Sequence, residues 1–93
     1  MVVRFLIDPG TELPHIDGPG VSPSEVLEVL RGPSYHGPTH EDTRAAEGQT
    51  LFGRYLRVIY KENEEDGSIF VITAYDLTEK QKKAYRRRKR RRP

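Results

Sequence analysis

Apolar and polar residues alternate along the chain in a pattern that predicts four β-strands. Residues 2–7, 54–61 and 68–76 are rich in β-branched and aromatic side chains, and the first stretch stops at an Asp-Pro-Gly turn. Residues 43–50 are a weaker candidate because they are more polar and contain alanine. Residues 68–76 are apolar on both faces, which is typical of a strand in the interior of a sheet.

The segments between these strands carry turn and loop signals. Residues 62–67 are acidic and end in glycine, so they predict a hairpin loop between the last two strands. Residues 51–53 would form the turn that precedes the strand 54–61. Residues 8–20 and 32–42 contain several prolines and glycines and predict loops.

A capping box predicts the first helix. Ser22 is the N-cap, Pro23 occupies the first helical position, and Glu25 lies three residues after the cap. A short helix over residues 23–31 should follow. Apolar residues recur on one of its faces at helical spacing, which indicates that the helix packs on the sheet.

A second capping box, formed by Thr78 and Gln81, predicts a C-terminal helix. We expect this helix to dock on the sheet through Leu77, Ala84 and Tyr85. It then runs into seven adjacent cations, residues 86–92. Because like charges repel one another, we expect this run to be frayed or extended unless an anion is bound.

Together these elements predict a single α+β domain over residues 1–85 and a basic C-terminal tail over residues 86–93. The domain should contain one small antiparallel sheet of about four strands with two packed helices. The chain has no cysteine, which excludes a disulfide framework and a thiolate zinc site. No apolar run is long enough to cross a bilayer and no signal peptide is evident, so we expect a cytoplasmic protein without a membrane partner.

The formal net charge of +2 conceals a separation of charge along the chain. Residues 1–79 contain six basic and fourteen acidic residues, whereas residues 80–93 contain ten basic residues and no acidic one. Arginine binds phosphates well, so the basic end predicts contact with nucleic acid or another acidic partner. The alternative is a solvated tail, or one that folds over the acidic body. The candidate phosphate-binding residues are Lys82, Lys83, Arg86, Arg87, Arg88, Lys89, Arg90, Arg91 and Arg92.

The histidines are the first candidates for chemistry. His36 and His40 have the spacing of metal ligands on a helix, but a Gly-Pro pair lies between them, so neither a metal site nor a cofactor is expected. His15 lies near Asp17 in sequence and is either a general base or a loop residue that bonds the backbone.

Basic and aromatic residues are interleaved in the strand 54–61. Arg57 and Tyr55 share one face of this strand, and Arg54 shares the other with Tyr60. Such a surface can hold phosphates and stack bases. The alternative places the tyrosines in the core and the arginines at its rim.

Three motifs follow one another in an order shared with a known group of proteins. They are the capped helix Gly-Val-Ser-x-x-Glu-Val-x-x-Val-Leu from Gly20 to Leu30, the strand start Gly-Arg-Tyr-Leu from Gly53, and Val-Ile-Thr-Ala-Tyr ending at Tyr75. With these motifs the chain resembles, over residues 2–86, the BrnT-like toxins and related small proteins of the RelE-type ribonuclease superfamily. The resemblance implies a RelE-like fold and metal-independent cleavage of mRNA, in a toxin that a partner antitoxin neutralises.

The resemblance also implies site residues. His15 and Arg54 match positions of that family, and Tyr75 stands where the family often has an arginine. Together with Arg57 they form the candidate catalytic set. His15 or Tyr75 would handle the proton of an RNA 2′-hydroxyl, and the arginines would stabilise phosphate charge.

Two functional hypotheses therefore remain open. The first is a toxin-like RNA-binding protein that acts as an mRNA endoribonuclease of a type II toxin–antitoxin pair. The second is a non-catalytic module of the same fold that binds RNA, the ribosome or another protein.

Overall fold

The computed structural model describes residues 2–16 and 18–90 and the backbone of residue 91. The elements follow one another in the order β1 (Val3–Phe5), α1 (Pro23–Arg31), β2 (Ser34–Pro38), β3 (Arg44–Gln49), β4 (Tyr55–Glu62), β5 (Ile69–Asp76) and α2 (Glu79–Arg91). The strands form one sheet in the order β1-β5-β4-β3-β2, with β1 parallel to β5 and the other neighbours antiparallel. The α+β class and both helices were correctly predicted.

Two features of the predicted sheet are wrong: it has five strands rather than about four, and it is mixed rather than antiparallel. The missed strand is β2, which lies within the segment 32–42 that was expected to be a loop. β2 is an edge strand, and a strand at an edge tolerates the proline and glycine that it contains. The parallel pair joins residues 3–5 to residues 69–71, which no local sequence pattern reveals.

β5 is an interior strand, as its apolar faces predicted, but β1 covers only part of its outer edge. The chain that follows β1 continues along this edge. The Leu6 backbone N–H donates to the Val71 carbonyl at 2.8 Å, and the Gly18 N–H donates to the Ala74 carbonyl at 2.9 Å. Leu6 and Gly18 therefore satisfy backbone acceptors of β5 that the short strand β1 leaves open.

The core lies between α1 and one face of the sheet. The predicted capping box at the start of α1 is confirmed, because Glu25 N donates to Ser22 Oγ at 3.2 Å and Ser22 N donates to Glu25 Oε1 at 3.0 Å. Val26 and Val29 are fully buried and face apolar side chains of the inner strands. A Cβ atom at Gly48 would lie 3.2 Å from Val29 Cγ1, so the glycine lets α1 approach β3 closely.

α2 begins at the second predicted capping box, in which Thr78 N donates to Gln81 Oε1 at 2.8 Å and Gln81 N donates to Thr78 Oγ1 at 3.2 Å. The helix continues through the cationic run as far as Arg91, so the expectation of an extended run is wrong for residues 86–91. Lysine and arginine are good helix formers, and cations near a helix C-terminus interact favourably with its dipole. These effects oppose the repulsion between neighbouring cations.

The docking face of α2 differs in one residue from the predicted one. Leu77 and Tyr85 are buried, as expected, whereas Ala84 is exposed on the side of the helix that faces solvent. Across residues 2–16 and 18–91, no helix combines the length and the apolar character that spanning a bilayer requires.

Candidate nucleic-acid interface

The two faces of the sheet differ in chemistry. One face packs on α1, and the other, here called the polar face, lies on the side of α2. A row of cross-strand partners crosses the polar face from Tyr35 in β2 through Glu47 and Arg57 to Tyr75 in β5. Directly paired residues of neighbouring strands lie on the same side of a sheet. The register therefore aligns a carboxylate and a guanidinium between two phenol side chains.

Glu47 forms ion pairs with two arginines from different elements. Its Oε2 lies 3.5 Å from Arg57 Nη1 in β4, and its Oε1 lies 3.5 Å from Arg88 Nη1 in α2. The Glu47 side chain is only 15% exposed, so water screens these ion pairs incompletely. Arg57 Nε is buried and has no hydrogen-bond partner among the described residues. One carboxylate thus links α2 to the polar face.

Tyr85 of α2 lies edge-on between two tyrosines of the polar face. Its ring centroid is 5.3 Å from that of Tyr35 and 5.6 Å from that of Tyr55. Burial raises the pKa of the Tyr85 hydroxyl. The Cζ atoms of Arg86 and Arg88 lie 5.2 and 5.0 Å from the ring centroids of Tyr55 and Tyr35, respectively. These tyrosines therefore anchor α2 to the sheet.

The outer face of α2 carries a line of cations, here called the outer stripe. Its members, Lys80, Lys83, Arg87 and Arg90, lie three or four residues apart, on the side of the helix opposite Tyr85, and all are exposed. At the rise of an α-helix they span about 15 Å. Among the residues that the structure describes, no carboxylate forms an ion pair with any of the four. The outer stripe is therefore open to an anionic partner.

The other predicted phosphate-binding residues of α2 have different surroundings. Lys82 Nζ lies 3.2 Å from Glu79 Oε1, and Arg86 and Arg88 face the sheet. Lys89 borders a cleft between α2 and the start of β2. The side chain of Arg91 and the whole of Arg92 lie outside the described residues. Lys83, Arg87 and Arg90 are thus the predicted residues that lie on the outer stripe, and Lys80 joins them.

Arg54, a member of the candidate catalytic set, lies on the opposite side of the sheet from the polar face. Its guanidinium donates to both carboxylate oxygens of Asp76, and to the backbone carbonyls of Pro19 and Gly20 at 2.7 and 2.9 Å. A longer bond of 3.5 Å reaches the Glu25 carboxylate at the start of α1. The bond to Asp76 raises the pKa of the guanidinium. All five N–H donors of Arg54 are used within the protein, so its role here is structural.

The structure places two of the four predicted catalytic residues opposite each other on neighbouring strands. Arg57 and Tyr75 are cross-strand partners on the polar face. His15 lies in the loop beside β5, where its side chain is half-buried and its backbone N–H donates to the Leu6 carbonyl at 2.7 Å. Arg54 is directed away from this group, so the four residues do not form one site.

His36 and His40 lie in different surroundings. His36 is in β2, with Nδ1 2.7 Å from the Tyr60 hydroxyl and Nε2 2.8 Å from Ser34 Oγ. Burial lowers the pKa of His36, and nearby Arg44 lowers it further. His40 lies in the turn after β2 and is exposed. Within the described part of the chain, no group of three or more His, Cys, Asp or Glu side chains is arranged to hold a metal ion.

Sequence reasoning missed the residues that organise this interface. Glu47 lies in the weakest predicted strand, and Tyr35 lies in the strand that was expected to be a loop. Both become visible only when the register of β2, β3 and β4 is known, because the register aligns Glu47 with Arg57. The sequence offered one signal for Glu47. Successive residues of a strand point to opposite faces of the sheet, so a strand over residues 43–50 places Glu47 on the face opposite Ala46.

Comparison with known proteins gives no relative for this chain: no protein-family model, no curated protein and no solved structure matches it significantly. The likeness to BrnT-like toxins therefore stays a prediction from the sequence motifs.

Proposed function

We propose that this protein binds RNA through the phosphates, along the outer stripe of α2. The observation that carries the proposal is the arrangement of Lys80, Lys83, Arg87 and Arg90 on one exposed helix face without carboxylate partners among the described residues. An ordered helix holds the cations at fixed spacing, so less conformational entropy is lost when they bind a polyanion. The choice of RNA among polyanions follows the family resemblance.

The acidic body does not neutralise the outer stripe. Within the described residues, Glu47 and Glu79 are the carboxylates that pair with cations of α2, and their partners are Arg88 and Lys82. The Arg88 contact lies on the inner side of the helix, and the Lys82 contact lies in its first turn. The inner side of the basic helix therefore packs on the body through Arg86 and Arg88, whereas the outer stripe does not fold over it.

The proposal does not include catalysis. The set predicted for cleavage needs Arg54 beside the phosphate, but the donors of Arg54 bind Asp76, Glu25 and two backbone carbonyls. Arg57 and Tyr75 remain together on the polar face, and Glu47 partly neutralises Arg57. The endoribonuclease activity and the antitoxin partner stay predictions from the resemblance.

The test compares two double variants that remove the same charge from different places. Arg87→Gln with Arg90→Gln removes two cations of the outer stripe. Arg4→Gln with Arg31→Gln removes two exposed cations of β1 and α1. Binding of a fluorescently labelled single-stranded RNA is measured by anisotropy over a range of salt concentrations, and circular dichroism verifies that both variants keep their helices.

We expect the stripe variant to bind RNA more weakly and to lower the log–log salt slope by about 1.4, because each lost phosphate contact on a single strand changes the slope by about 0.7. The control variant should keep the slope of the parent protein within about 0.3. Equal losses in the two variants would mean that binding follows net charge alone, and the outer stripe would then not be the site.

A further inference from the structure

The turn between β3 and β4 carries the two most exposed large hydrophobic residues that the structure describes. Leu51 is 86% exposed, and Phe52 is fully exposed. Hydrogen bonds fix the turn itself, because Gly53 N donates to the Thr50 carbonyl at 2.9 Å and Leu51 N donates to Glu28 Oε1 of α1 at 2.8 Å. Neighbouring apolar side chains that project from such a fixed turn are typical of a contact surface.

A groove of about 430 Å³ lies beside this turn. Leu51 lines it from the turn, Leu27 lines it from α1, and Gly32 lines it just after the helix. Leu27 is only half-buried, so part of its side chain is open to a partner. The groove has room for a phenyl ring, and its two leucines are suited to contact one. A protruding ring, that of Phe52, and an apolar groove thus belong to the same surface.

The rim of the groove carries one acid and one base. Glu28 and Arg31 lie three residues apart on α1, and both line the groove. Neither forms an ion pair with another of the described residues. The groove is therefore neutral on balance, although residues 1–79 contain fourteen acidic and six basic residues. A strongly acidic or strongly basic partner would place a like charge opposite one of the two.

A second copy of this chain complements the ring, the groove and both charges. In a two-fold symmetric pair, each contact between two different residues occurs twice, once in each direction. We infer that this protein forms a weak two-fold dimer, in which Phe52 of each copy fills the groove of the other and Glu28 of each copy faces Arg31 of the other. The inference goes beyond the proposed function and does not depend on it, because the outer stripe belongs to a different helix.

The size of the surface determines the expected strength of the dimer. An aromatic side chain buries about 150–250 Å². Two copies of Phe52 and Leu51, together with the rim residues, therefore bury about 1,000 Å², which is the lower end for specific interfaces. We expect a dissociation constant of about 10–100 μM. At about 1 μM protein, the concentration for RNA-binding and unfolding measurements, the monomer predominates, so a change at Arg31 does not act on them through the dimer.

Sedimentation equilibrium of the full chain, at concentrations from about 10 to 500 μM, measures the association. We expect a single equilibrium between monomer and dimer. Phe52→Ser should weaken dimerisation about a hundredfold, because the dimer loses the ring twice and each loss costs about tenfold. Since Phe52 is fully exposed, the substitution removes no core contact, and circular dichroism verifies that the fold is kept.

Leu13→Ser is the matched control for the exposed apolar residue. Leu13 is 63% exposed, lies in the loop after β1 and does not line the groove. Its substitution should change the dissociation constant less than about twofold.

A second pair of variants tests the charges. Arg31→Glu places two carboxylates opposite each other at both symmetry-related positions and should weaken dimerisation at least about tenfold. Arg4→Glu makes the same change of charge at an exposed position of β1 and should leave dimerisation within about threefold.

The inference is overturned if the full chain remains monomeric at about 500 μM, and the occupant of the groove would then be a different protein. It is also overturned if Phe52→Ser and Leu13→Ser weaken the association equally, or if the association continues beyond the dimer, since a two-fold surface closes on itself. RNA binding is measured on the monomer, so neither result decides the other.

Discussion

Arg54 Nε and Nη2 donate to the two carboxylate oxygens of Asp76 at 2.7 and 2.9 Å, and this bidentate pair joins the start of β4 to the end of β5. The same guanidinium binds the Pro19 and Gly20 carbonyls and reaches Glu25 of α1. Because the guanidinium is planar and carries five donors in fixed directions, a lysine cannot reproduce these contacts. Arg54 thus connects three segments that are distant in sequence.

We expect Arg54→Ala to lower the free energy of unfolding by about 1–3 kcal/mol, a range that allows for partial exposure of the pair to water. Arg54→Lys should recover only a minor part of this loss. Urea denaturation measures both effects, and Arg31→Ala, an exposed arginine at the end of α1, is the control that should change stability by less than about 0.5 kcal/mol. If Arg54→Ala is as mild as Arg31→Ala, the pair does not hold the segments together.

The second prediction concerns pH. Hydrogen bonding from Arg54 lowers the pKa of Asp76, so the folded protein keeps this carboxyl ionised at a pH where the unfolded chain protonates it. An unfolded aspartate takes up its proton near pH 3.9, and below that pH the unfolded state binds more protons than the folded one. The stability that the Asp76 carboxylate contributes is therefore present above about pH 4 and is lost as the pH falls through its lower folded pKa.

We expect Asp76→Asn to be less stable than the parent at neutral pH and to lose less stability on acidification. The pKa of Asp66 is also lowered, by the backbone hydrogen bond from Ser68, so this carboxyl should preserve part of the pH dependence in the variant. Denaturation midpoints at a series of pH values provide the measurement. Identical pH profiles for parent and variant would contradict the assignment to Asp76.

The third prediction concerns the cap of α1. Ser22→Ala removes the acceptor for the Glu25 N–H and should lower the free energy of unfolding by about 0.5–2 kcal/mol. Ser24→Ala lies two residues later, at an exposed position inside the same helix, and should be neutral or slightly stabilising because alanine is the better helix former. Chemical denaturation that ranks the two variants equally would show that the cap contributes nothing.

The fourth prediction concerns the basic run as a whole. If the four cations of the outer stripe each contact a phosphate, the log–log salt slope for single-stranded RNA should be roughly −2.8. A chain that ends after Tyr85 lacks Arg87 and Arg90 and should lose at least about half of this slope. It should also lose about 1 kcal/mol of stability, because it lacks the Arg88 contacts with Tyr35 and Glu47. A truncated protein that binds RNA as tightly as the parent at equal salt would contradict the prediction.

Local signals in the sequence predicted the local structure. Both capping boxes are present as expected, and the acidic loop 62–67 with its terminal glycine joins β4 to β5 as an antiparallel hairpin. Gly67 has a φ of 73°, the conformation that favours glycine at such a position. Each of these signals depends on residues within a few positions of one another, so the sequence carries them directly.

Features that depend on distant pairing were missed. Arg54 was interpreted as a catalytic cation from the family resemblance. Its partner Asp76 lies 22 residues away, and only the register of β4 with β5 brings the two side chains together. The strand tyrosines were open to two interpretations, stacking of bases or packing in the core, and the structure agrees with packing for two of them: Tyr60 is buried at 3% exposure and Tyr55 packs on Tyr85. In both cases the residue type suggested chemistry, whereas the tertiary neighbours assign a structural role.

The parallel pairing of β1 with β5 determines when the fold can be completed during synthesis. Residues 3–5 leave the ribosome early, but their partners, residues 69–71, are made near the end of the domain. The antiparallel strands β2, β3 and β4 can associate as hairpins before that point. β1 remains unpaired until β5 has been synthesised. We therefore expect the addition of β1 to be the slow, late step of folding, because such a distant contact closes a long loop of chain.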